Sequence, residues 1–247
     1  MRAILTWHSI DASGSPISVA PLVFRRQLDW LRSGRVRVVS VDELLALPDS
    51  ADAVALTFDD GFENFAREAA PMLLHHALPA TVFVVTDRVG RDNRWPERNG
   101  AVPVLPLMDW DALGRLQQQG VVIGAHTRTH QRLTGAGTDL VAELRGAAEE
   151  IERELGARPA GFAYPYGAFN RRVARAAASE YRWACTTEFQ PVRSASDPLA
   201  LPRLVAWYFR DPCLLETWGT ARFRAWMWTR SQGRAARTAM ARLAGPA

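Results

Sequence analysis

Short apolar runs recur along this chain, separated by amphipathic stretches, and that alternation constrains the fold more than any other feature. Runs at 2–7, 36–41, 53–56, 80–85, 121–125, 161–165, 183–187 and 204–207 read as strands. Between them, Phe24, Leu28 and Leu31 after Pro21, and later Phe65, Ala69, Met72 and Leu73, fall at helical spacing. Further helices are predicted at 42–47, from Asp109 to Gly120, at 138–155 and at 170–181. Seven or eight strands alternating with helices imply parallel strands joined by right-handed crossovers, hence an α/β fold. Neither an internal repeat nor a second domain interrupts the pattern. The stretch 86–107, with Trp95, Pro96, Pro103 and Pro106, is too long for a plain connection and reads as a substrate-cleft wall.

Two segments leave strand ends carrying chemistry. Thr57-Phe58-Asp59-Asp60-Gly61 follows the run at 53–56, and His126-Thr127-Arg128-Thr129-His130 follows the run at 121–125. Asp-Asp-Gly alone is common turn chemistry, and a lone pair of histidines four apart is a weak signal. Both segments, however, follow separate strands at the same end, where α/β sheets keep their sites. If the second segment turns helically its two imidazoles meet, and with one carboxylate they make a two-His, one-carboxylate metal site with open positions. The other carboxylate is then free to act as a base.

Together with Phe162-Ala163-Tyr164-Pro165-Tyr166-Gly167, these segments resemble, in order and spacing, the motifs of the polysaccharide deacetylases, or NodB-homology carbohydrate esterases. The resemblance covers roughly residues 1–207. It implies a single-domain, distorted (β/α) barrel of about seven to eight parallel strands, here over residues 1–217. It also implies a divalent metal, zinc by first choice, held by Asp60, His126 and His130, with Asp59 as the general base. The N–H of Tyr166 would help hold the oxyanion, and the reaction would remove an acetyl group from an amino sugar of a polysaccharide, oligosaccharide or lipid-linked glycan. Hydrolysis of another amide or formamide, or glycan binding without catalysis, are the competing readings.

The chain departs from the family pattern twice. Where the third motif usually begins with an Arg that pairs with the catalytic Asp, this chain has Ala163, and Arg203 ahead of the last strand is expected to orient Asp59 instead. Many relatives carry a late histidine that protonates the leaving amine, whereas here no histidine follows His130. His8, at the end of the first strand, is the expected acid, since a Trp-His pair near the start resembles one branch of the family. His75 and His76 read as outer-layer helix residues.

Charge matters mainly at the end of the chain. All 30 basic residues are Arg, and six of them lie between Trp218 and Ala247 with no acidic residue, leaving 24 Arg against 26 acids elsewhere. This stretch, with Trp226, Met227 and Trp228, reads as a helix, either packed with a solvated basic end or in peripheral contact with an anionic membrane surface or glycan. Nucleic acid has only that charge in its favour, and the oligomeric state is not legible. Two cysteines are too few for a disulfide framework. With no signal-peptide core and no apolar run of membrane-spanning length, the expected compartment is the cytoplasm.

Overall fold

The computed structural model describes residues 1–243. In chain order the elements are β1 (Arg2–Trp7), a short parallel pair β2 (Ser9–Ile10) and β3 (Ser18–Val19), α1 (Pro21–Leu31), β4 (Arg37–Val39), α2 (Val41–Ala46), β5 (Ala53–Phe58), α3 (Ala70–His75), β6 (Ala80–Val84) and α4 (Trp110–Gln118). They continue with β7 (Val122–Ala125), α5 (Gly146–Leu155), β8 (Gly161–Ala163), α6 (Arg171–Ala178), β9 (Trp183–Cys185), β10 (Leu204–Val205), α7 (Pro212–Leu215) and α8 (Ala221–Leu243). Local chemistry sets several starts. Pro21 opens α1, and the side chains of Ser40, Asp109 and Asn170 accept the N–H three residues on in α2, α4 and α6.

Seven strands form one parallel path in the order β10-β1-β5-β6-β7-β8-β9. A fork distorts it: β4 pairs with Ala53, Val54 and Ala55 of β5, and β6 takes over at Leu56, Thr57 and Phe58. The path curls into a barrel whose ends are joined by one segment, where Leu201 bridges Cys185 of β9 and, three residues on, Leu204 pairs with Leu5 of β1.

Side chains alternate across each strand, so β1, β5, β6, β8 and β9 each feed two cores. Ile4, Ala53, Ala55, Phe83, Ala163, Trp183 and Cys185 fill the barrel interior. Leu5, Trp7, Val54, Leu56, Phe58, Val82 and Val84 pack outward under the helices. The same period carries Thr6 on from Ile4, and Thr57 and Asp59 on from Ala55. The apolar lumen therefore ends, at the carboxyl ends of the strands, in a layer of polar residues.

Three local predictions are refined. Both helices that follow the chemistry-bearing loops open with a π turn, Phe65–Ala69 before α3 and Val141–Arg145 before α5. The strand predicted at 161–165 ends at Ala163, because Pro165 has no N–H to give a ladder and Tyr166 turns the chain at φ 58°. The C-terminal arginines lie on α8, docked on the barrel by buried Phe223 and Met227 and by Trp226, whose ring meets Phe189, Phe209 and Phe223. Trp228 is 65% exposed. Among the described residues no helix is long and apolar enough to cross a membrane.

The interior leaves no spare volume between β8 and β9. Gly161 pairs with Trp183, and a Cβ at Gly161 would lie 2.1 Å from the indole. Gly161→Ala should therefore cost about 1–3 kcal/mol, the usual range for overpacking a core, and lower the urea midpoint accordingly. An unchanged midpoint would mean that the lumen is looser than its packing indicates.

Candidate active site

The first chemistry-bearing loop begins as a continuation of the sheet. The Asp59 N–H donates to the Trp7 carbonyl at 2.9 Å, after which Asp60 (φ 73°) and Gly61 (φ 75°) turn the chain through left-handed conformations. The second begins the same way, with the His126 N–H donating to Val84 at 2.9 Å. It then departs from the helical turn that its spacing suggested. Thr127 (φ 67°) and His130 (φ 63°) are left-handed, and the His130 N–H donates to the Thr127 hydroxyl at 2.9 Å. The imidazoles meet through this irregular loop, not across a helical face. Of the five non-glycine residues with positive φ among the described residues, four are Asp60, Thr127, His130 and Tyr166. Each such conformation costs on the order of 1–3 kcal/mol, and their concentration at one place marks a built site.

Asp60, His126 and His130 are buried, and their ligand atoms lie within 4.8 Å of one another. Asp60 Oδ1 stands 3.4 Å from His126 Nε2 and 3.3 Å from His130 Nε2, and it has no hydrogen-bond donor although it is shielded from water. His126 Nδ1 lies 2.7 Å from the Ala163 carbonyl, which can only accept, so Nδ1 carries a proton and Nε2 is the nitrogen turned toward Asp60. His130 Nδ1 meets the Tyr166 hydroxyl at 3.2 Å. An orphaned carboxylate oxygen facing two imidazole nitrogens fits a divalent cation.

Without an ion, the three groups shift one another. Burial pushes the Asp60 carboxyl upward, but the two histidines outweigh it and hold the group far below the usual carboxylate range. Burial also works against the His126 imidazolium, where the Asp60 and Asp59 carboxylates prevail and raise it, whereas at His130 burial prevails and lowers it.

Beside this cluster, Arg203 forms a bidentate pair with Asp59, Nη1 to Oδ1 at 2.6 Å and Nη2 to Oδ2 at 2.7 Å, with both side chains buried. The guanidinium also donates to the hydroxyls of Thr6 and Thr57 and to the Thr186 carbonyl. Burial raises the Asp59 pKa, but the Arg203 charge, followed by those of His8 and His126, brings it below the usual range. At Ala163, which has no side chain to orient Asp59, the backbone carbonyl serves His126 instead. His8 Nε2 lies 3.6 Å from Asp59 Oδ2, and its side chain is 26% exposed, open to an incoming molecule. His75 and His76 remain on the outside at the end of α3.

Sequence reasoning named the loop 86–107 as a cleft wall but assigned no residue in it. Trp95 is buried there, its ring tilted over the His130 ring at a centroid distance of 4.0 Å. The loop is stitched to the first motif, where Met108 N–H donates to Gly61 and Glu63 N–H to Pro106. Arg132, paired with Glu97 of the same loop, lies over the Tyr166 ring at 4.3 Å. At the third motif Gly167 (φ 66°) fits because a Cβ there would lie 2.1 Å from the Thr187 hydroxyl oxygen.

A parallel (β/α) barrel carrying two imidazoles and two carboxylates at its C-terminal mouth has its polar cluster where enzymes of this architecture keep their active sites. The chain belongs to the polysaccharide deacetylase family, whose model matches residues 46–182. It is 25% identical over 192 residues to the Bacillus subtilis (strain 168) protein YxkH, across 75% of this chain and 64% of that one. Poly-beta-1,6-N-acetyl-D-glucosamine N-deacetylase of Staphylococcus aureus is 31% identical over 80 residues, covering 31% of this chain and 28% of its own length. The matches thus span less than two thirds of either relative. In fold, the chain resembles IcaB from Ammonifex degensii (TM-score 0.72, 22% identity, 83% of this chain and 93% of that one). It likewise resembles the Streptococcus pyogenes deacetylase PplD (TM-score 0.70, 24% identity, 83% and 91%).

Removing the guanidinium from Asp59 should free its carboxyl to rise. If Asp59 is the base, which works only above its own pKa, the acid limb of kcat/KM in Arg203→Met should move to higher pH by about one to three units. An acid limb that stays in place would separate Arg203 from the ionisation of Asp59.

Proposed function

We propose that this chain removes N-acetyl groups from amino sugars of a polysaccharide, oligosaccharide or lipid-linked glycan, using a divalent ion, zinc by first choice, held by Asp60, His126 and His130. The observation that carries the reading is the donorless Asp60 Oδ1 between two imidazole nitrogens, beside a second carboxylate held by Arg203. Membership of the family supports it, as does the Staphylococcus aureus relative, whose name specifies an N-acetyl-D-glucosamine polymer.

When bound there, the ion supplies a Lewis acid that acidifies water and polarises an acetamide carbonyl. The chain's own residues do the rest. Asp59, kept ionised by Arg203, takes a proton from the attacking water as its oxygen bonds to the acetyl carbon. The Tyr166 N–H donates to the carbonyl oxygen as it gains negative charge. His8 gives a proton to the departing nitrogen, the C–N bond breaks, and acetate and a free amino sugar remain. Trp95 and Tyr166, packed on His130, shut bulk water from one side of the site.

Release of acetate from an N-acetylglucosamine oligomer is the test. It should occur, stop on chelation, and return with zinc. His8→Gln should retain the metal, lose roughly 10²–10⁴ in kcat, and lose the alkaline limb of its pH profile. Bound metal without acetate would point to another amide substrate. No bound metal and no acetate would leave glycan binding as the function.

A further inference from the structure

None of the groups above explains why a carboxylate is buried behind the metal-binding loop. Glu143 is 4% exposed, and no cation neutralises it among the described residues. Its two oxygens are occupied instead by four donors, all from residues 128–131. The N–H groups of Arg128 and Thr129 each reach Oε2 at 3.1 Å. The Thr129 hydroxyl and the Gln131 side-chain amide each reach Oε1 at 2.8 Å. A buried carboxylate without a counter-ion persists only when its acceptor capacity is filled, and here one loop fills it.

That loop is the one that must hold two left-handed residues. Thr127 and His130 bracket the two N–H groups that Glu143 binds. From the opposite side the loop is held by Thr86 N–H to the Thr127 carbonyl, Asp87 N–H to the Arg128 carbonyl, and an Arg128–Asp87 ion pair. Glu143 itself sits within the π turn Val141–Arg145, where the Gly146 N–H bonds back to Val141, and such turns recur at functional sites. Glu149, Glu152 and Glu154, further along the same helix, are exposed.

We propose that Glu143 is a positioning residue for the metal centre. Its carboxylate templates residues 128–131, holds the loop in its left-handed course, and so sets His130 Nε2 against Asp60 before any ion arrives. This rests on the reading of Asp60, His126 and His130 as a metal site. A neutral amide at position 143 would present one acceptor oxygen where two are required, leaving either the backbone pair or the side-chain pair without a partner.

The experiment compares zinc affinity, by competition with a chromophoric chelator, and amide exchange of the zinc-free chain in wild type, Glu143→Gln and Glu149→Gln. In Glu143→Gln, zinc affinity should fall about 10–100-fold, the usual effect of losing an outer-shell partner. Exchange at Arg128 and Thr129 should quicken about tenfold or more, while Val82 in β6 keeps its protection. Glu149→Gln should change neither. If Glu143→Gln does not fold, Thr129→Val combined with Gln131→Leu removes both donors to Oε1 and carries the same expectation. Zinc affinity within about threefold of wild type, with unchanged exchange at Arg128 and Thr129, overturns the proposal alone. A wild-type chain that binds no zinc overturns the metal reading itself, and the proposal with it.

Discussion

A carboxylate oxygen without a donor, kept from water inside a protein, is unfavourable unless a positive charge shares its space. Asp60 Oδ1 is in that position, and it faces two imidazole nitrogens, one of them aimed by the bond between its ring's other nitrogen and the Ala163 carbonyl. A cation at that point would satisfy the carboxylate and both imidazoles at once. Most of what surrounds this cluster serves to keep the three groups together. The left-handed residues aim them, Trp95 and Tyr166 box in His130, and the loop between the histidines is gripped from two sides.

The second carboxylate is stabilised differently, and its partner ties chemistry to architecture. Arg203 lies in the segment that joins the two ends of the barrel path, and it reaches Thr6 on β1, Thr57 on β5 and the Thr186 carbonyl just beyond β9. The group that holds Asp59 ionised thus also stitches three strand ends across the lumen. Buried pairs of this kind add little net stability, because desolvating both charges offsets their attraction. What the pair contributes is orientation, with one carboxylate locked in a single direction beside another whose Oδ1 has no donor. Ala163 can then be small, since the guanidinium arrives from the opposite end of the sheet.

Most of the fold was legible because parallel strands buried on both faces leave an unambiguous apolar signature, as in the runs of β1 and β5, and because Asp109 caps α4 as its side chain predicts, whereas Ser40, read as the end of a strand, caps α2 instead. The strand-end carboxylates and histidines could be read from their position after those runs. Less legible was how the histidines converge, since spacing of four suggests a helix and says nothing of a loop with two left-handed residues. Trp95 was hidden in a long segment without periodicity. Glu143 was hidden more thoroughly, for on sequence it is one of several glutamates on an amphipathic helix, and only the π turn separates it from its exposed neighbours. Side chains whose role depends on tertiary hydrogen bonds leave no local trace.

The central claim is that Asp60, His126 and His130 share one ion. Anomalous diffraction at the zinc edge from crystals grown with zinc tests it most directly. The account predicts a single strong peak, roughly 2.0–2.2 Å from an Asp60 oxygen and from Nε2 of both histidines. A map with no peak there, or with one that leaves either histidine outside the coordination sphere, would contradict it.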